Sequence, residues 1–63
     1  MRLTRRQQQV VALIAADLDA GDIAYALGVS ENTVRAAVKE ACHRNGLRRE
    51  QVVLGWLRRY YPR

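Results

Sequence analysis

The chain has 63 residues, enough for one domain around a single modest core and too few for a second domain with its own ligand pocket. A lone cysteine, Cys42, excludes an internal disulfide, and with His43 as the single histidine no four-ligand zinc site can be assembled within one chain. The formal net charge is +5, from eleven Lys and Arg against six Asp and Glu, and no nucleophile, base or carboxylate pair is arranged for catalysis.

The charges are unevenly placed. Asp17, Asp19 and Asp22 lie together, whereas Arg35, Lys39, Arg44, Arg48, Arg49, Arg58, Arg59 and Arg63 load the second half and Arg2, Arg5 and Arg6 the start. Clustered cations on so small a domain imply an anionic partner, and nucleic acid fits best because binding releases phosphate counterions. The longest apolar run, Val10 to Ala16, is far short of a membrane span, and the charged N-terminus leads into Gln7-Gln8-Gln9 rather than a signal-peptide core. The expected setting is the cytoplasm, with no membrane contact and no cofactor.

Caps and apolar periodicity predict an all-α chain of four helices. Thr4 and Gln7 have capping-box spacing, and Val10, Val11, Ile14 and Leu18 follow at helical intervals, so the first helix is expected over about residues 5–18. Asp19 caps a short second helix over about 20–27, which buries Ile23, Ala24 and Leu27. Gly28 suits its left-handed end and Ser30 the N-cap of a third helix over about 31–45. Val34, Ala37, Val38 and Ala41 form the core stripe of that helix, opposite Glu31, Asn32, Arg35, Lys39 and His43. Asn45-Gly46 ends it, and a fourth helix is expected over about 48–60, without a good N-cap residue and with Val53, Leu54 and Leu57 facing the core.

A short helix, a three-residue turn containing Gly and a helix with one polar face describe a helix-turn-helix. At these residues the chain resembles the LuxR-type (GerE-type) DNA-binding domain of bacterial regulators, over almost its whole length. Leu3-Thr4-Arg5-Arg6-Gln7-Gln8-Gln9-Val10 is similar to the family's opening Leu-Thr-x-Arg-Glu-x-Glu-Val. Asp22-Ile23-Ala24, Leu27, Ser30 and Thr33-Val34-Arg35 match its central Glu-Ile-Ala…Leu…Ser-x-x-Thr-Val-Lys, and Gly46-Leu47 its closing Gly-Val. Gln7 and Gln9 stand where the family prefers Glu, Glu50 where it prefers Arg, Ala37 where His is frequent, and Ala41 where a larger aliphatic residue is usual. These departures mark a divergent member. They suggest that another contact replaces an ion pair between helices 1 and 4, and that a large side chain such as Trp56 or Tyr60 fills the space over the alanines.

The resemblance implies a single helix-turn-helix domain over residues 1–63, acting as a small bacterial or phage transcriptional regulator on double-stranded DNA. A helix about 10 Å across fits a major groove about 12 Å wide. By position in the family, Arg35, Ala36 and Lys39 read bases: Arg35 can pair with guanine through two hydrogen bonds, Lys39 can reach a guanine acceptor and the Ala36 methyl can meet that of thymine. Asn32 is a further base-contact candidate. Ser30, Thr33 and the first amides of helix 3 suit phosphates, as do Arg44, Arg48 and Arg49.

With Val53, Leu54 and Leu57 given to the core, Val52, Trp56 and Tyr60 align at i, i+4 and i+8 on another face of helix 4. That apolar stripe is expected to form a two-fold homodimer contact, as in similar family members. The alternative is that Trp56 folds over the Ala-lined side of helix 3. A different functional class also fits the pattern, since the same helices resemble region 4 of sigma factors: an adaptor that binds RNA polymerase, a sigma factor or another regulator.

Overall fold

The computed structural model describes residues 1–60, Tyr60 by its backbone alone. It contains α1 (Arg5–Ala15), α2 (Ala20–Leu27), α3 (Glu31–Asn45) and α4 (Arg49–Tyr60), with no strand among the described residues. The all-helical class expected from the sequence is what is found.

The helix starts follow from local hydrogen bonding. Thr4 Oγ1 accepts from the Gln7 N–H (3.1 Å) while Gln7 Oε1 accepts from the Thr4 N–H (3.0 Å), a reciprocal pair that satisfies two otherwise orphan donors. Asp19 Oδ1 accepts from the Asp22 N–H (2.9 Å) and Ser30 Oγ from the Thr33 N–H (3.1 Å), opening α2 and α3. For α4 the device is half of a capping box, in which Gln51 Oε1 reaches back to the Arg48 N–H (2.8 Å). The helix therefore begins at Arg49 rather than at Arg48.

One stop signal recurs three times. The Leu18, Val29 and Leu47 amides bond the carbonyls of Leu13, Ala24 and Cys42, five residues back, at 3.0–3.1 Å. The residue before each apolar plug is left-handed: Asp17 (φ 72°), Gly28 (φ 69°) and Gly46 (φ 63°). Leu18, Val29 and Leu47 then pack on the core, completing the Schellman arrangement. Asp17 explains why α1 ends at Ala15, three residues before the predicted end: Asp is one of the few residues other than Gly that visits this conformation readily.

Adjacent valines of α1 divide the interior. Val10 joins Ile23, Ala24, Val34 and Ala37 in a cluster between α1, α2 and α3, whereas Val11 joins Ala41, Val52 and Trp56 between α1, α3 and α4. The α4 register differs from the expectation. Val52 and Trp56 point inward, Val53 and Leu57 are half-buried, and Leu54 is 50% exposed. The predicted interface residues Val52 and Trp56 are thus interior, and Tyr60, the third, has its side chain outside the described residues. The physical reason lies on α3, where Ala41, in one cluster with Trp56, leaves space that a large side chain fills, whereas Ala37 packs in the other cluster against Val10 and Ile23. Leu54 cannot fill it from the opposite face of α4.

Gln7 is buried and spends its amide oxygen on the Thr4 cap, while Glu50 is exposed. The expected replacement contact between α1 and α4 is not made by this pair. The N-terminal segment is instead tied to α3 by Asn45, whose Oδ1 accepts from the Arg2 N–H (2.7 Å) and whose Nδ2 donates to the Arg2 carbonyl (2.8 Å) and the Ala41 carbonyl (2.8 Å).

Candidate nucleic-acid interface

Successive residues of a helix project about 100° apart. With Val34, Ala37 and Ala41 buried, Asn32, Ala36, Lys39 and His43 run along the opposite, exposed ridge of α3. Arg35 lies at one edge of this ridge and Arg44 toward the other. After the turn at Gly28, α2 packs through Ile23 and Ala24 on the buried Val34 and Ala37 of α3, which leaves the ridge exposed.

Cations border the ridge on both sides. Arg35, Lys39 and Arg49, from the start of α4, line one hollow together with Ile14, Asp19 and Val38. Lys39 and Arg44 line another with Gln7, Glu40 and His43. Arg48 is exposed at the α4 cap but lines neither hollow. At the N-terminus of α3, Ser30 Oγ and Thr33 Oγ1 are 3.0 Å apart and both residues are exposed, next to first-turn amides that carry the positive end of the helix dipole.

Two features escaped the sequence reading. Arg35 is not free: its Nη2 donates to Glu31 Oε1 at 3.0 Å, one helical turn back. The i, i+4 spacing of the pair was available as a signal. Arg2 and Arg59, which sequence reasoning left without a role, line a cleft with Arg44, Thr4 and Gln8 at the far end of α3. Only the fold brings these three arginines together. No group of His, Cys, Asp and Glu among the described residues is placed to hold a metal ion, and no helix among them is long and apolar enough to cross a membrane.

A three-residue turn joining a short helix to a longer one, with an exposed polar and basic ridge on the second, defines a helix-turn-helix DNA-binding domain. Residues 1–44, from the N-terminal segment to the last turn of α3, match the family of bacterial regulatory proteins described as the luxR family. The match covers more than half of the chain, and the chain belongs to that family. Domains of this kind act in transcription regulation by binding DNA and are not enzymes. No curated protein and no solved structure matches the chain.

Proposed function

We propose that the chain is a sequence-specific regulator that lays α3 in the major groove of double-stranded DNA. The observation that carries this reading is the α3 ridge, with Asn32, Ala36 and Lys39 exposed along it and Arg35, Arg49 and Arg44 on its flanks. Arg35, Lys39, Asn32 and Ala36 meet base edges, while Ser30, Thr33, Arg44, Arg48 and Arg49 hold phosphates and set the register. The working compartment is the cytoplasm, where the DNA is.

The protein acts as a homodimer on two half-sites about one helical turn apart. The contact is made by the outward side of α4, where Leu54 sits in a hollow with Ile14, Asp17, Arg49, Glu50 and Val53. The exposed Leu54 gives this patch an apolar centre, which a two-fold copy can cover with the same patch of its own. A second reading, contact with a partner protein such as RNA polymerase or another regulator, is favoured by Tyr25, which stands 91% exposed on α2.

Selection of bound sequences from a random duplex pool at two salt concentrations tests the proposal. The protein should enrich a palindromic site, and Arg35→Ala and Lys39→Ala should lose it. Weak, steeply salt-dependent binding that is indifferent to both substitutions would leave only non-specific electrostatics.

A further inference from the structure

The Glu31 carboxylate is paired through one oxygen and lies beside α2 with the other. Oε1 accepts from Arg35 Nη2 at 3.0 Å, and Oε2 lies over the first turn of α2, where a Cβ at Gly21 would come within 3.4 Å of it. Asp19 Oδ1 would be equally near that Cβ but is already engaged by the Asp22 N–H. The bare backbone at Gly21 leaves room for the Glu31 carboxylate near the positive end of α2. The ion pair with the guanidinium at the edge of the ridge thus sits beside the first turn of α2.

We infer that Glu31 is a specificity-determining positioning residue that aims Arg35 at its base. An exposed Arg otherwise samples many rotamers, and ordering it at the moment of binding costs entropy. A guanidinium has five N–H donors, and the bond to Glu31 takes one of the two on Nη2. One fork of two N–H groups stays open for the paired acceptors of guanine, O6 and N7, in the direction that pairing with the carboxylate favours. Glu31 also repels DNA phosphates, so its presence lowers affinity for every sequence while it raises discrimination at one base pair.

This inference rests on Arg35 reading a base, and its test separates the two claims. Affinities of the natural protein, Glu31→Gln, Glu31→Ala and Arg35→Ala are measured on the selected site, on the site changed at the base pair that Arg35 reads, and on an unrelated duplex. Discrimination should fall in the order Glu, Gln, Ala, with Glu31→Ala losing about three- to tenfold of it, because Gln keeps the acceptor oxygen without the charge. Affinity for the unrelated duplex should rise in both Glu31 variants. Circular dichroism should show both folded, since Glu31 is exposed. If both Glu31 variants keep full discrimination while Arg35→Ala loses it, the positioning role is overturned and base reading stands. If Arg35→Ala also keeps it, both claims fall.

Discussion

Trp56 covers Ala41. The methyl group on α3 is fully buried and the indole on α4 is 9% exposed, in one cluster with Val11 and Val52. A small residue where α3 passes α4 leaves a space, and the largest side chain of the chain fills it from the neighbouring helix. This pair sets the rotation of α4, and through it which residues that helix offers to solvent.

Trp56→Ala should therefore destabilise the fold by about 3–5 kcal/mol, the cost of emptying a large buried site, which approaches the whole stability of so small a domain. Leu54→Ala should cost under about 1 kcal/mol, because half of that side chain is already in water. Urea unfolding followed by circular dichroism compares the two, and equal losses would contradict the assigned register.

The left-handed stops give opposite signs at two positions. Asp17→Gly should stabilise by about 0.5–1 kcal/mol, since relief of the side-chain penalty at φ 72° outweighs the added freedom of the unfolded chain. Gly28→Ala should destabilise by about 1–2 kcal/mol at φ 69°, a cost that arises between the Cβ and its own local backbone, since the added Cβ would meet no other residue within 4 Å. Thermal unfolding of the two variants reads the difference.

Asn45 tests how the N-terminal segment is held. Asn45→Ala removes all three of its hydrogen bonds and should speed exchange of the Arg2 amide while costing about 1–2 kcal/mol. Asn45→Asp keeps the acceptor for the Arg2 N–H and should protect that amide better than Ala does.

What was legible in the sequence was local. Thr4, Asp19 and Ser30 reveal helix starts, and Gly28 and Gly46 helix ends, because each acts within one turn of its own position. The exposed ridge of α3 followed in the same way from the spacing of Val34, Ala37 and Ala41. Asp17 was hidden because Asp also occurs inside helices, and nothing adjacent announces its positive φ. The rotation of α4 was hidden because Val52 with Trp56 and Val53 with Leu54 and Leu57 both make apolar helical stripes. The space beside Ala41 decides between them, and that space exists only once α1, α3 and α4 are assembled. The Asn45 tie is likewise invisible in sequence, as it joins residues 43 apart.

Arg44→Ala and Arg49→Ala should weaken binding to all duplexes to a similar degree, each reducing the slope of log affinity against log salt by about 1. Affinity titrations over a range of salt concentrations supply the slopes. A sequence-dependent loss at either position would move that arginine from phosphate to base contact.

Leu54→Glu places a charge at the centre of the proposed two-fold contact and should leave a folded monomer that binds a single half-site. Sedimentation in the presence of paired half-sites reads the stoichiometry. A variant that still loads two copies cooperatively would exclude this face of α4 as the dimer contact.

Whether α3 is the surface placed against DNA can be read from backbone amide shifts as a selected duplex is added. The largest shifts are expected from Ser30 to Arg44, with a second group at Arg48 and Arg49 and little change around Asp22 and Tyr25. Shifts concentrated on α2, with α3 unmoved, would contradict this placement of α3.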